Sequence, residues 1–494
     1  MRHDDGSSGA SGLRWLAGDH HIHTQYSPDG LYRVVDHVRH ATTYGLHWMV
    51  ITDHGSVPHV KIGLEKVNRD VRAARAEFGN MLLFQGMEWT VPAADHGTVF
   101  VHPGDGEVAV LKEFGNTFDC SMTGATTSTP ANEALAVAGL NFLAKAVATN
   151  RVLDALFIAN HPASKGVVAP HEIRGWRDAE PHIAVGMEAA PGHQARGIKE
   201  PGAGQHRGSY DKSPSSDSFM GYPLESYRTH GGFDWMTATV GGVWDSLLAE
   251  GKPWWITANS DVHNVRGDVA SYDRDPSSDF DRDGFHGDPG SAPPNMAHGD
   301  FWPGQYSRTH VGARDVSHAA VMEGIRRGRI WVDHGHLIDG LDVRLRIKGT
   351  QTGVTLGGTL SVARGRAVEL VVSVDLPTQP NGSHVVPALA RVDVIAGDVT
   401  VPVADRDAFT APNTRVVRSY DTTTATGSVI LTYDVGVIDR PMYFRVRGTD
   451  GNRAAPGLLG MDIDPAGPAQ DVPGDADPWQ DLWFYSNPIW AVPR

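Results

Sequence analysis

From residue 13 to about 338 the chain repeats one pattern. A short apolar run stops abruptly at His, Asp or Glu. "WLAGDHHIH" is the first such run and "HWMVITDHG" the second. "MLLFQGMEWT", "GTVFVHPG", "ALFIANHP", "IAVGMEAAPGH" and "WWITANSDVH" follow. Runs this short, rich in β-branched and aromatic residues, read as buried strands. Between several of them lie stretches with apolar residues at helical spacing: "LYRVVDHVRHATTYGL", "VNRDVRAARAEFG" and "ANEALAVAGLNFLAKAVATN". Strands alternating with helices predict parallel β/α units, and in a β/α barrel the polar strand ends form the active site. The alternation breaks once, because Glu88 to Thr98 leaves no room for a helix.

Two loop-rich stretches interrupt the pattern. Residues 194–232 are rich in Gly, Ser, Pro and Tyr, and residues 264–312 in Asp, Gly and Pro. Loops of such length inside a compact domain are usually functional or mobile. "DVSHAAVMEGIRRGRIWVDHGH" then predicts a helix, a turn and a short strand. From about 340 the period changes to two. "LDVRLRIKG", "AVELVVSVDL", "ARVDVIAG", "SVILTYDV" and "MYFRVRGTDG" alternate without helical runs between them, and "LWFYSNPIWAV" reads as one last strand. The expected organisation is a flexible tail over 1–12, an α/β domain over 13–338 and an antiparallel β-sandwich over 339–494.

Composition narrows the function classes. The chain has 494 residues and a formal net charge of −15, which argues against a nucleic-acid duplex as partner. No apolar run is long enough to span a bilayer. The first residues, "MRHDDGSSGASG", lack the apolar segment of a signal peptide, so the expected location is cytoplasmic unless a signal has been removed. One cysteine, Cys120, rules out an internal disulfide or a thiolate zinc site. The 25 histidines are the unusual feature.

His21-x-His23 falls at an expected strand end, where residues two apart share a face. Alone it is a weak signal. Asp29, Asp53-His54, Glu88, His96, His161 and Asp261-x-His263 stand at comparable strand ends. Mixed imidazole and carboxylate donors suit zinc, manganese or iron. Asp53 is expected to orient a ligand rather than coordinate. "SDFDRDGF" opens like a calcium loop, but its twelfth position is Gly290, so an acidic solvated loop is the better reading. No G-x-S-x-G elbow supports a serine nucleophile.

In this order "HIHTQYSPDG", "ITDHG", "GMEW", "ANHP" and "SDVH" resemble the motifs of the polymerase and histidinol phosphatase (PHP) superfamily, over roughly residues 15–338. The resemblance implies a distorted (β/α)7 TIM-like barrel with two or three divalent metal ions. It implies one metal on His21, His23, Glu88 and Asp261, a second on Glu88, His96 and His161, and a third on Asp29, His54 and His263. Pro28, beside Asp29, is an insertion relative to the family pattern. His96 is preferred to His102 as the histidine following the glutamate. "EGIRRGRIWVDHG" and "WFYSNPIWAV" further resemble a multi-domain branch similar to carbaryl hydrolases.

The expected activity is that of a metal-dependent phosphoesterase acting on a small-molecule phosphate mono- or diester through a metal-activated hydroxide. His193 or His263 would protonate the leaving group, and Lys165 and Arg266 would contact the phosphoryl group. The alternative is a carbamate, amide or ester hydrolase with the same centre, in which Tyr210, Tyr222, Trp235 and Trp302 wall an apolar pocket. A third reading is a non-catalytic scaffold that binds glycan or protein.

Overall fold

The computed structural model describes residues 12–202, 204–271 and 279–494. Of the expected tail, residues 1–11 lie outside the described residues.

Seven strands carry the first domain: β1 (Arg14–Asp19), β2 (Trp48–Ile51), β3 (Leu82–Thr90), β4 (His96–Val101), β5 (Ala155–Ala159), β6 (Ala184–Ala190) and β7 (Trp255–Ala258). They lie side by side in sequence order. The pairs β1–β2, β2–β3, β5–β6 and β6–β7 are parallel. β4 is antiparallel to both neighbours, forming the hairpin that the short Glu88–Thr98 spacing demands. The strands are almost wholly buried, as befits a sheet with elements on its faces. Helices Val34–Thr43, Leu64–Glu77 and Pro130–Ala148 occupy the stretches with helical spacing. Helices Glu107–Phe118 and Pro170–Ala179 add to them.

The loop after β7 carries a two-stranded ladder of β8 (Ala270–Ser271) and β9 (Gly290–Ser291). β10 (Ser307–Ala313) then runs antiparallel to β1, and β11 (Ile330–His334) antiparallel to β10. The first domain is therefore a mixed α/β sheet with parallel strands. Among the described residues no ladder joins β7 back to β1, so the expected closed barrel is not shown. Side chains bind that edge instead. Thr309 Oγ1 accepts from Ala258 N at 2.8 Å and donates to Ala258 O at 2.6 Å. Beyond the strands, a single bridge pairs Ile22 with Val262.

The remaining strands are β12 (Gly340–Ile347), β13 (Gly353–Val354), β14 (Thr359–Val362), β15 (Ala367–Asp375), β16 (Arg391–Asp398), β17 (Arg415–Asp421), β18 (Ser428–Val437), β19 (Met442–Thr449), β20 (Trp483–Ser486) and β21 (Ile489–Pro493). They form a four-stranded sheet, β13-β12-β15-β18, and a second group, β14-β21-β19-β20 with β16 and β17 attached. All pairs are antiparallel except β14–β21. Val343, Leu345, Val368, Leu370 and Val372 from the four-stranded sheet share one buried cluster with Val394 and Phe444 from the second group.

β20 pairs with β11, so the first sheet runs unbroken into the second domain. The expected single last strand is broken at Asn487-Pro488. Pro488 has no N–H to continue a ladder, and Asn487 turns away from it. Its Oδ1 accepts from Ile256 N at 3.0 Å and its Nδ2 donates to Ile256 O at 3.3 Å, covering the open edge of β7. Arg445 of β19 reaches across to Asp245 with two bonds of 2.9 and 2.7 Å, both side chains fully buried.

Removing one partner of such a pair strands the other charge without solvent. Arg445→Ala is expected to lower stability by about 3–5 kcal/mol, read as the urea midpoint of unfolding. An unchanged midpoint would show that this pair does not hold the two domains together.

Candidate metal centre

Four of the parallel strands deliver ligand-type residues just past their carboxyl ends, and β3 carries Glu88 near its own end. His21 and His23 follow β1, His54 follows β2, His161 follows β5, and Asp261 and His263 follow β7. β4 runs the other way, so its first residue, His96, lies at the same edge of the sheet. His102 lies just past the opposite end of β4, against His318, with its Nδ1 on Pro103 O. Strand direction thus decides which histidine joins the others.

Glu88 of β3 is the centre of the group, 1 % exposed. Its Oε1 lies 3.1 Å from His21 Nε2, 3.1 Å from His96 Nδ1 and 3.3 Å from His161 Nε2. Its Oε2 lies 2.7 Å from His54 Nδ1 and 3.4 Å from His23 Nε2. The His21 and His23 Nε2 atoms are 3.0 Å apart, and Asp261 Oδ1 is 3.1 and 3.2 Å from them. Half-exposed Asp29 faces His54 Nε2 at 3.3 Å and His263 Nε2 at 3.4 Å. Donor atoms of His21, His23 and Glu88, of His54, Glu88 and His96, and of His23, Asp29, His54 and His263 each gather within 4.8 Å. So do those of Asp95, His96 and His161, and of His193, Asp261 and His263. All nine residues named as ligands by resemblance therefore meet at one place.

The charges fit cations. Burial pushes the Glu88 carboxyl up, but the imidazoles of His96, His21 and His54 outweigh it and hold the group well below the usual range. Asp261 is depressed in the same way, burial being overcome by His21 and His193. Burial lowers His21, yet Asp261, Glu88 and Glu188 raise it well above an ordinary imidazole. Buried carboxylates here demand positive charge, which divalent ions would provide at the same donor atoms. Asp261 Oδ1 and His161 Nδ1 are buried without a hydrogen-bond partner among the described residues, as atoms awaiting a ligand would be.

A layer of carboxylates stands behind the imidazoles, and of its members the sequence assigned an orienting task only to Asp53. Glu188 of β6 accepts from His21 Nδ1 at 2.8 Å and from His161 N at 2.7 Å. Asp300, from the long loop after β7, lies 2.5 Å from His193 Nδ1 and accepts from His263 N at 2.6 Å. Asp95 lies 3.6 Å from His161 Nδ1. Asp19 accepts from His21 N and Ser260 N, and burial lifts it to about 7 despite those bonds. Asp53 clasps Thr24 through its N–H and hydroxyl, fixing the loop after His23. His20, out of phase with its neighbours, bonds Thr257 Oγ1 at 2.8 Å instead.

The backbone is bent to this purpose. His161, His193 and Asp261 have φ of 27°, 54° and 45°, a region costly for residues with a Cβ. Gly192 lets the loop after β6 touch the loop after β7. A Cβ there would lie 2.1 Å from Ser260 O and 2.2 Å from Asp261 Cβ.

Two cavities open over the cluster. One, of about 210 Å³, is lined by His161, Ser164, His193, Asp261 and the 196–212 loop. The other, of about 260 Å³, is lined by Asp29, His193, His263, Asp300 and neighbours. The expected phosphoryl contacts are engaged elsewhere. Lys165 Nζ bonds Asp95 Oδ1 at 2.7 Å, and Arg266 bonds the carbonyls of Met296 and Pro201. Neither lines either of these two cavities. The aromatic residues expected around an apolar pocket pack the loops. Tyr222 bonds Val168 O, Tyr210 bonds Asp234, Trp235 lies edge-on to Tyr222, and Trp302 stacks on His40. His334 and His336 stand apart from the cluster, beside Arg207 and Gly304 O.

If Glu188 holds His21 and His161 in place, Glu188→Gln should weaken divalent-metal affinity about 10–100-fold. Competition of the loaded protein against a chelator measures it, and unaltered affinity would remove the orienting role.

No curated protein matches the chain in sequence. In structure it is similar to a Bacteroides vulgatus two-domain protein containing a predicted PHP-like metal-dependent phosphoesterase. That likeness has 14 % identity and a TM-score of 0.35, over 91 % of this chain and 95 % of the other. It is also similar to a Bifidobacterium adolescentis protein provisionally named a metal-dependent phosphoesterase. There the identity is 15 % and the TM-score 0.25, over 50 % of this chain and 87 % of the other. The family model described as PHP domain matches residues 19–137. The matched stretch includes His21, His23, Asp29, His54, Glu88 and His96.

Proposed function

We propose that the chain is a metal-dependent phosphoesterase that cleaves a small phosphate mono- or diester. The observation that carries this reading is the ring of imidazoles around buried Glu88, opening into polar cavities. Two or three zinc, manganese or iron ions would be held, one by His21, His23, Glu88 and Asp261, one by Glu88, His96 and His161, and one by Asp29, His54 and His263. Divalent ions there supply Lewis acidity and an activated water at neutral pH. We also read the first seven strands as a distorted barrel drawn together through Thr309 and the Ile22–Val262 bridge.

The chain's own residues do the rest. His193 lines both cavities, and Asp300 holds its Nδ1. That leaves Nε2, now 3.1 Å from Asp261 Oδ2, as the atom from which a proton can reach the leaving oxygen. His263 is less suited to that task. Its Nδ1 faces Asp261 O and its Nε2 faces Asp29, an arrangement that favours coordination. Lys165 supports Asp95, and through it His161, rather than the substrate. The loop aromatics do not wall these two cavities, which takes one support from carbamate or ester cleavage by the same centre.

The direct test compares an aryl phosphate, an aryl phosphodiester and an aryl carbamate under identical manganese or zinc loading. Phosphate ester turnover is expected, and turnover of the carbamate alone would overturn the proposal. A second test isolates the proton donor. His193→Gln should lower kcat on an alkyl phosphate about 10²–10⁴-fold and lower it far less on p-nitrophenyl phosphate, whose leaving group needs no proton. Equal losses on both would remove that role.

A further inference from the structure

The two cavities share a side chain that none of the roles above uses. Arg196 lines both, together with His193. It belongs to the single turn Gln194–Gly197 that follows His193 directly. Its stem crosses Gly299, where a Cβ would lie 2.3 Å from Arg196 Cγ, so a side chain at 299 would close the slot. Nη1 donates to Gln205 Oε1 at 2.6 Å, which sets the roll of the guanidinium.

The rest of the guanidinium is idle. Nε is buried and has no hydrogen-bond partner among the described residues. Nor does Arg196 form an ion pair among them, although Asp261, Asp300 and Asp211 line the same cavities. Those carboxylates are engaged. Asp261 faces His21, His23 and His193, Asp300 faces His193 and the N–H groups of His263 and Asn264, and Asp211 faces Lys212. An arginine keeps its charge at any working pH, and its planar fork matches the oxygens of phosphate and carboxylate. A partly buried guanidinium with no counter-ion among the described residues is complete only when an anion arrives.

A second donor converges on the same space. Ser209 Oγ is buried without a partner among the described residues and lines the first cavity, on a residue whose φ is 58°. Lys212 lies at the same rim, with Nζ 3.6 Å from Asp211.

We infer that Arg196 and Ser209, with Lys212 at the rim, form an anion subsite that seats the non-reacting oxygens of a phosphoryl-bearing substrate beside the metal centre. This rests on the proposed phosphoesterase reading. The subsite is borne by the loop from 194 to 232, which gives that stretch a task in substrate selection.

Binding of inorganic phosphate tests it without turnover. Manganese-loaded wild-type protein and its Arg196→Gln, Arg196→Lys and Ser209→Ala variants would be titrated calorimetrically, with bound manganese measured in each. Arg196→Gln should bind phosphate at least tenfold more weakly at unchanged metal content, Arg196→Lys should recover part of the loss, and Ser209→Ala should lose several-fold. KM for an aryl phosphate should rise in Arg196→Gln with a smaller change in kcat. Phosphate bound equally by wild type and both Arg196→Gln and Ser209→Ala would overturn the subsite and leave the phosphoesterase reading intact. So would an Arg196→Gln protein that fails to fold beside a Ser209→Ala protein that binds phosphate normally. Loaded wild type that binds no phosphate overturns the subsite. Loaded wild type that binds phosphate through Arg196 but cleaves no phosphate ester would overturn the proposed function and leave the subsite standing.

Discussion

A carboxylate that water cannot reach sits among five imidazoles, and the arrangement of the first domain follows from it. Glu88 is buried on β3, where that strand leaves its parallel neighbour and enters the β3–β4 hairpin. Ionised carboxylates are not tolerated in such a place without positive charge close by. Each neighbouring strand end answers with a nitrogen, and buried carboxylates stand behind several of the rings, Glu188 on His21 and Asp300 on nearby His193. The result is an alternating lattice of negative and positive groups, and a divalent ion can take the place of the proton charge in it. Strained backbone at His161, His193 and Asp261 is sustained by that lattice rather than by local preference.

Much of this was legible in the chain, because the signals were local. Apolar runs ending in His, Asp or Glu marked strands β1 to β7, and the missing helix after Glu88 marked the hairpin. His21 and His23 needed only the two-residue period of an extended segment. The choice between His96 and His102 was a question of strand direction, which that same hairpin answers. What stayed hidden depends on contacts distant in sequence. Asp300 and Arg196 lie in Gly-rich loops with no period, and nothing in the chain shows that Asp300 meets His193 or that Arg196, three residues past it, lines the cavities. Arg266 looked well placed at three residues past His263, yet its guanidinium turns to the carbonyls of Met296 and Pro201. Sequence distance from a ligand says little about where a long side chain points.

The antiparallel strands after 340 were legible as a change of period, but their union with the first sheet was not. β20 continues that sheet beyond β11, and the aromatic residues of the tail enter the same core as the helices of the first domain. Pairing between strands so far apart in the chain leaves no local mark. The buried Arg445–Asp245 and Arg207–Asp481 contacts carry the same message, since they join residues 200 and 274 positions apart.

The clasp of Asn487 on Ile256 has a bearing on biogenesis. Ile256 lies on the strand that leads directly to Asp261 and His263, and that strand's outer edge is covered by a residue from β20's far end. During synthesis the ribosome delivers β7 long before position 487 emerges. Until then β7, which leads to Asp261 and His263, has only Thr309 on that edge and lacks the cover of Asn487 at Ile256. If the centre holds metal as proposed, a chain truncated before Asn487 would bind it less tightly than the finished protein.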